Sequence, residues 1–273
     1  MDFKQKKVIL WSPPRCLSNV FCRSIETLKK TKCIRNLFSG PYYFGPNHPC
    51  HIYAPLLDSQ LDLEGLSVKD LTYEQMKALV TADYPDVDLV FIKDHPHCLP
   101  ESLYQDLISG AFASFIHTFL IRDPERALYS NYKASLSQQL IGSNLDPPSG
   151  GFNEMYKFYN FIKEKQGTTP VIVDAADLQT HPDETMRSFC KAVGICFDSN
   201  MMSWEPAPFH GHYNVWKADW HQQVSQSTGF IKTKPGEQKP VPLYEMPSDV
   251  VKCIEDSRVY YTEMRKDCIK PLF

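Results

Sequence analysis

Residues 91–96 contain the side chain with the clearest capacity for chemistry, which is His95. Lys93 precedes it by two positions, and both residues lie at the end of an apolar run that predicts a β-strand. Histidine titrates near neutral pH, so His95 is suited to take a proton from a hydroxyl nucleophile. Lys93 is suited to stabilise negative charge on a group that is being transferred. A single histidine at the end of a strand is also compatible with a purely structural role.

A second segment, residues 8–24, has the pattern of a strand, a short turn and a helix. Arg15 lies in the turn, and Ser18 and Asn19 open the helix. A helix N-terminus offers backbone N–H groups and a partial positive charge, which together favour a phosphate or phosphosulfate. The pattern G-x-x-x-x-G-K-S/T is missing, so the turn differs from the usual ATP- or GTP-binding loop. A simple strand–helix junction capped by Ser18 is the alternative interpretation.

A third segment, residues 122–130, carries a further candidate for anion binding. Arg122 follows a predicted strand, and Ser130 lies two turns into the next helix. Arginine grips phosphate through two parallel hydrogen bonds, and a serine hydroxyl can complete the site. Alone, this segment is equally compatible with a salt bridge that caps the helix.

The elements that position these segments alternate between short apolar runs and longer helical patterns, which is typical of a parallel sheet flanked by helices. We therefore predict an α/β protein with three layers, α/β/α, around a central and mostly parallel sheet, as a single domain over residues 1–273. The predicted strands cover residues 7–11, 89–93, 115–121 and 171–173. The predicted helices cover residues 18–30, a segment from about residue 100, the segment after residue 124, and residues 153–163, 182–193 and 248–265.

Two segments are predicted to be irregular. Residues 39–46 are rich in proline, glycine and aromatic residues, and Tyr42, Tyr43 and Phe44 are candidates to line a ligand pocket. Residues 202–239 contain tryptophans and histidines without metal-ligand spacing, so we predict packing or pocket lining and no metal site. These residues are Trp204, His210, His212, Trp216, Trp220 and His221.

Composition excludes several classes of protein. A formal net charge of -3 provides no overall attraction for nucleic acid. No apolar run approaches the roughly 18 residues that a membrane span requires, and the apolar run at 8–11 is too short for a secretory signal. The nine cysteines are scattered without paired-ligand spacing, so we predict reduced thiols and a cytoplasmic protein.

The three segments together resemble a known family. Residues 14–19 are similar to the 5′-phosphosulfate loop of sulfotransferases that use 3′-phosphoadenosine 5′-phosphosulfate (PAPS). Residues 93–95 resemble the Lys-Thr-His segment of that family, and residues 122–130 resemble its 3′-phosphate motif, in the same order. Residues 173–178 and 182–194 resemble its later strand and helix, so the resemblance spans about residues 7–200. It implies the sulfotransferase fold, which is related to that of P-loop nucleotide hydrolases.

The resemblance implies a role for each matching residue. His95 matches the catalytic base, and Lys93 matches the lysine that stabilises the sulfuryl group and the bridging oxygen. The residues that match the cofactor contacts are Arg15, Cys16, Leu17, Ser18 and Asn19 for the 5′-phosphosulfate, Arg122 and Ser130 for the 3′-phosphate, and Lys232 and Lys234 for a basic loop over the cofactor. Cys16 and Leu17 replace the usual Ser-Gly of the loop, and glycine has more conformational freedom than leucine. The short C-terminal dimer motif of the family is not found, so the oligomeric state stays open.

These observations predict transfer of a sulfuryl group from PAPS to a hydroxyl or amine of a small-molecule acceptor, which leaves 3′-phosphoadenosine 5′-phosphate (PAP). Tyr42, Tyr43 and Phe44 are the candidates for acceptor binding, and in-line attack requires no metal. One alternative is a kinase that uses ATP and magnesium held by Asp94, although the loop lysine and glycines are missing. A second alternative is a protein that binds the nucleotide without transferring anything, and a third is a dehydratase on the same fold.

Overall fold

A single parallel sheet forms the centre of the protein in the computed structural model, which describes residues 5–47, 67–137, 149–209, 218–234, 237 and 240–273. The strands are β1 (Lys6–Trp11), β2 (Thr31–Arg35), β3 (Leu89–Asp94), β4 (Ile116–Ile121) and β5 (Val171–Asp174). Their order across the sheet is β2-β3-β1-β4-β5, and every strand pair is parallel. The carboxyl ends of β1, β3 and β4 therefore lie side by side. Each of the three predicted segments contains the residues that follow one of these ends.

Each face of the sheet is covered by a hydrophobic core, because consecutive side chains of a strand point to opposite faces. In β1, Ile9 and Trp11 belong to one core, and Val8 and Leu10 belong to the other. Helix α5 (Phe152–Gln166) packs into the first core through Phe158. Helices α1 (Ser18–Glu26) and α7 (Pro182–Val193) pack into the second. The predicted α/β class, three layers and parallel sheet are confirmed.

Six further helices are described in the structure. They are α2 (Ser39–Tyr43), α3 (Tyr73–Thr81), α4 (Pro124–Ser137), α6 (Ala175–Thr180), α8 (Ala218–Ser225) and α9 (Ser248–Lys266). The predicted helix at 182–193 is observed with those bounds, and Gly194 ends it in the left-handed conformation at φ 70°. This is the usual reason for glycine at a helix C-terminus.

Several predicted elements were wrong in detail. Helix α1 ends at Glu26 rather than near residue 30, and the next strand, β2, was not predicted. The segment from about residue 100 forms short 3₁₀ turns at Glu101–Leu103, Asp106–Ile108 and Gly110–Ser114 instead of one helix. Segment 202–239, predicted to be irregular, contains the helix α8, whereas segment 39–46, predicted not to be regular for long, contains only the five-residue helix α2.

Candidate active site

The loop between β1 and α1 presents an uncapped helix N-terminus. Arg15 and Leu17 both adopt the left-handed conformation, with φ of 63° and 68°. Leu17 is the N-cap residue of α1 but provides no side-chain hydrogen bond, and the first turn contains no acidic residue. The first amide to bond back within this helix is that of Phe21, which donates to the carbonyl of Leu17 at 3.0 Å. The preceding amides are therefore available to an anion.

Two arginines meet at this loop. Arg15 is part of it, and Arg122 contacts its main chain. Arg122 donates from Nη1 to the main-chain carbonyl of Arg15 at 2.8 Å, and Arg15 donates from Nε to Oγ of Ser130 at 3.1 Å. Burial, and then the neighbouring Arg122, lower the pKa of Arg15 to about 10. Burial likewise lowers the pKa of Arg122, whose buried Nε has no hydrogen-bond partner within the described part of the chain. An anion would supply the partner that the Arg122 Nε lacks and negative charge close to both guanidinium groups.

His95 is held in one tautomer by its neighbours. Its Nδ1 lies 2.7 Å from the carbonyl of Ser12, and because a carbonyl only accepts, Nδ1 carries the proton. Its Nε2 lies 2.7 Å from Nζ of Lys93 and accepts from that ammonium group. Burial, followed by the charges of Lys93 and His97, holds the pKa of His95 well below its ordinary value. The imidazole is therefore neutral, with its basic lone pair on Nε2.

Lys93 is almost fully buried at the end of β3, at 1% exposure. Its ammonium group donates to Oδ1 of Asn36 at 2.7 Å as well as to His95. Burial lowers the pKa of Lys93 to about 8, and the nearby Asp94 carboxylate opposes that change. The charge on this lysine is consequently held in a poorly solvated place, where it acts strongly on any neighbouring negative charge.

Asp94 ties the end of β3 to the start of α2. Its carboxylate accepts from the amide of His95 at 2.8 Å and from the amide of Phe38 at 2.9 Å. Burial raises the pKa of Asp94 to about 6, and the hydrogen bonds from these amides act in the opposite direction. The side chain has no exposed surface.

A cavity of about 330 Å³ brings the predicted segments together. Its lining includes nine of the residues predicted from the sequence, namely Arg15, Leu17, Ser18, Asn19, Tyr43, Lys93, His95, Arg122 and Ser130. The candidate anion-binding groups and the candidate base thus face one space.

The other predicted site residues do not line this cavity. The Cys16 side chain is fully buried in the core, and this burial raises its thiol pKa to about 12. Phe44 is fully buried, and it packs against Tyr43 with ring centroids 6.0 Å apart. Tyr42 packs edge-on against Tyr43 at 4.7 Å. Lys232 is exposed, and Lys234 extends from the surface near Glu237.

Sequence reasoning missed several residues of the lining. They include Asn36, Ser39, His97, Asn131, Ser135, Gln179, Gln223, Val224 and Ile231. His97 is buried, its Nε2 lies 3.1 Å from the Tyr43 hydroxyl, and its ring stacks on that of His95 at 5.4 Å. Burial lowers the pKa of His97 to about 3, so this ring is also neutral. Its position two residues after His95 was the available signal.

The tryptophan and histidine segment contributes one observed residue to the lining. His221 lies on α8, and its Nδ1 accepts from Nδ2 of Asn19 at 3.3 Å. Trp204 packs outside the cavity, edge-on against Phe230. His210, His212 and Trp216 lie outside the described residues, as does the side chain of Trp220. Within the described ranges, no group of three or more acidic, cysteine or histidine side chains could hold a metal ion.

The family model of the sulfotransferase domain matches residues 6–265, so the chain belongs to the sulfotransferase family. The fold described above is therefore a sulfotransferase fold, and the resemblance inferred from the three segments is confirmed. None of the helices that the structure describes is long and apolar enough to cross a membrane.

Two curated proteins of Arabidopsis thaliana are similar in sequence. Branched-chain-amino-acid aminotransferase-like protein 2 is 35% identical over 232 residues, which cover 81% of this chain and 35% of that protein. Branched-chain-amino-acid aminotransferase-like protein 1 is 32% identical over 121 residues, which cover 43% of this chain and 20% of that protein. The chain thus spans about a third or less of the length of these relatives.

Three solved structures are similar over most of the chain. The sulfotransferase domain of the Synechococcus PCC 7002 olefin synthase has a TM-score of 0.44 and 16% identity, and the match covers 94% of this chain and 96% of that one. The sulfotransferase domain of the curacin biosynthetic pathway has a TM-score of 0.43 and 13% identity, with 93% and 97% covered. Mouse sulfotransferase SULT7A1, complexed with PAP, has a TM-score of 0.48 and 9% identity, with 95% and 85% covered.

Proposed function

We propose that this chain transfers a sulfuryl group from PAPS to a hydroxyl or amine of a small-molecule acceptor. The observation that carries the proposal is that Arg15, His95 and Arg122 line one cavity, although they follow three different strands. A site for this reaction needs cations for the donor and a neutral base for the acceptor. The cavity offers both.

The donor side of the cavity fits a nucleotide with two separate anionic groups, a 5′-phosphosulfate and a 3′-phosphate. The amides that open α1 and the Arg15 side chain would hold the 5′-phosphosulfate, with Ser18 and Asn19 at the same helix end. Arg122 and Ser130 would hold the 3′-phosphate. The buried Nε of Arg122 supports this assignment because it has no partner among the described residues. PAPS, when bound, supplies the sulfuryl group and leaves as PAP.

His95 is proposed as the general base. Its proton on Nδ1 is fixed by the Ser12 carbonyl, so Nε2 is the nitrogen that can accept the proton of the acceptor hydroxyl. Lys93 covers Nε2 in this structure, and it must turn toward developing negative charge before His95 can act. Because its pKa is about 8, Lys93 is charged at neutral pH and can stabilise that negative charge.

The acceptor side is proposed to lie at Tyr43, His97 and Ser39, which line the cavity beside His95. Tyr42 and Phe44, also predicted for this pocket, pack against Tyr43 and would fix its ring rather than form the inner wall. Aromatic rings with a few polar groups are typical of pockets for small organic molecules. The hydrogen bond between His97 and the Tyr43 hydroxyl orients two polar groups toward this pocket.

The kinase alternative is not favoured. It requires Asp94 to hold magnesium, but the Asp94 carboxylate has no exposed surface and accepts hydrogen bonds from main-chain amides, including those of His95 and Phe38. A carboxylate that binds a metal needs an open oxygen. Asp94 instead serves to fix the loop that carries His95.

The experiment is a transfer assay with ³⁵S-labelled PAPS against a broad panel of phenols, alcohols, sugars and amines. We expect label transfer to at least one acceptor class without added magnesium, and strong loss of transfer in His95→Asn. Asparagine keeps a donor toward the Ser12 carbonyl but cannot take up a proton, so it is the matched control. Binding of PAP without transfer to any acceptor would favour the non-catalytic alternative. Phosphoryl transfer from ATP with magnesium would refute the proposal.

A further inference from the structure

Asn36 contacts Lys93 at two points. It follows β2 directly, and its amide donates to the main-chain carbonyl of Lys93 at 2.8 Å. Its side-chain Oδ1 accepts from the Lys93 ammonium group at 2.7 Å. Asn36 has a φ of 55°, a left-handed conformation that asparagine adopts more readily than most residues. The backbone conformation thus turns the side chain back onto the lysine of the neighbouring strand.

The Lys93 ammonium group lies between two partners as a result. One is Oδ1 of Asn36 and the other is Nε2 of His95, each at 2.7 Å. A buried ammonium group without such partners would be strongly disfavoured. Asn36, which is itself buried and lines the cavity, is uncharged, so it can hold Lys93 without neutralising it.

We infer that Asn36 is a positioning residue that holds the charged side chain of Lys93 against His95 at the carboxyl edge of the sheet. Its contact with the ammonium group favours the charged form of the lysine. The effect of Asn36 on turnover rests on the proposed sulfuryl transfer, whereas its effect on Lys93 does not.

The direction of the effect follows from the groups around Lys93. Burial lowers the pKa of Lys93 to about 8, and a hydrogen bond to the ammonium group acts in the opposite direction. Removal of the Asn36 side chain should therefore lower this pKa further, and a carboxylate in its place should raise it. The titratable groups that face Lys93 are Asp94, Cys16, Cys22, Cys98, His95 and His97.

Four of these neighbours have pKa values that differ from that of Lys93 by two units or more. The pKa of Asp94 is about 6 and that of His97 is about 3, while burial raises the thiol pKa of Cys22 to about 11 and that of Cys16 to about 12. A transition near pH 8 in the assigned Lys93 signal is therefore distinct from the titration of Asp94, His97, Cys22 and Cys16.

The test compares Asn36→Gly with Asn36→Asp. Glycine tolerates the left-handed backbone and keeps the main-chain amide, so only the side-chain contact is lost. The protein is labelled at lysine ¹³Cε, the Lys93 signal is assigned with Lys93→Arg, and its titration midpoint is measured by NMR in the absence of any nucleotide. We expect the midpoint to fall by about one pH unit or more in Asn36→Gly and to rise by a similar amount in Asn36→Asp. Unchanged midpoints in both variants would overturn the inference.

Turnover provides the second readout. The charged form of Lys93 is the active form, so activity is lost as pH rises through its pKa. We expect the alkaline limb of the kcat profile to move to lower pH in Asn36→Gly and to higher pH in Asn36→Asp. A loss of kcat without a shift of this limb would indicate a structural role for Asn36 and would overturn the inference.

The two proposals fail separately. If the midpoints shift but wild-type protein transfers no sulfuryl group, the proposed function is wrong and the positioning role stands. If wild-type protein is active but neither midpoint shifts, the positioning role is wrong. Aspartate is nearly isosteric with asparagine, so Asn36→Asp should fold. Its titration midpoint tests the inference if Asn36→Gly does not fold.

Discussion

The left-handed conformation of Leu17 leads to a prediction about stability. Leu17 has φ 68° and ψ 14° at the start of α1, in a loop position where the sulfotransferases that the sequence resembles usually have glycine. A residue with a Cβ atom loses about 1–2 kcal/mol in this conformation. Glycine avoids this loss, but it gives up about 0.5–1 kcal/mol through its greater freedom in the unfolded chain.

The matched pair Leu17→Gly and Leu17→Ala isolates the backbone effect. Both variants lose the leucine side chain, which is partly buried against the core. This loss lowers the free energy of unfolding of both variants by a similar amount, so it cancels when the two are compared. Their difference should be about 1 kcal/mol in favour of glycine, because only alanine retains the Cβ atom. For a chain of this size, the difference corresponds to about 2–4 °C in Tm.

The assay is urea unfolding followed by tryptophan fluorescence, with calorimetry for Tm, on both variants in the same buffer. If Leu17→Ala were more stable than Leu17→Gly, the left-handed loop would not be the conformation of the folded protein, and the proposed amide cradle for the anion would be refuted. The Kd for PAP, measured by titration calorimetry, should be similar in the two variants, because the amides that open α1 are retained.

Three further predictions concern the cavity. His95→Asn should lower kcat by about 10²–10⁴-fold with a nearly unchanged Kd for PAP, because it removes the base but no donor contact; turnover at the wild-type rate would remove His95 from that role. Arg122→Ala should weaken PAP binding by about 10–100-fold in titration calorimetry, since a hydrogen bond to a charged group is lost, and an unchanged Kd would contradict the assignment. His97→Phe should raise KM for the acceptor several-fold while leaving KM for PAPS unchanged. Tyr43→Phe is the comparison, because it removes the other partner of the same hydrogen bond. A change confined to KM for PAPS would contradict the acceptor assignment.

The central strands could be predicted from the sequence because both faces of the sheet are buried. In β3 every residue is buried, so the run from Leu89 is continuously apolar before Lys93 and Asp94. In β2 only Ile34 is buried, because this strand lies at the edge of the sheet. A five-residue strand with one buried position and three polar or charged side chains has no clear apolar pattern, and it was missed.

The site could be predicted in part. Arg15, His95 and Arg122 were found because each follows a predicted strand, and strands of one parallel sheet end at the same edge. Asn36 was missed because it follows the unpredicted strand β2, and its partner Lys93 is 57 residues away. His97 was missed although it follows His95 by two residues, because its contact with Tyr43 depends on the packing of α2 against the turn after β3.

The Asp94 carboxylate has a consequence for how this protein could change its substrate. It accepts hydrogen bonds from the amide of His95 and from the amide of Phe38, which directly precedes the helix that carries Tyr43. The proposed base and one wall of the proposed acceptor pocket are thereby anchored to the same buried group and keep a fixed spacing. Side chains on that wall can be exchanged to suit a new molecule while the reacting atoms stay aligned.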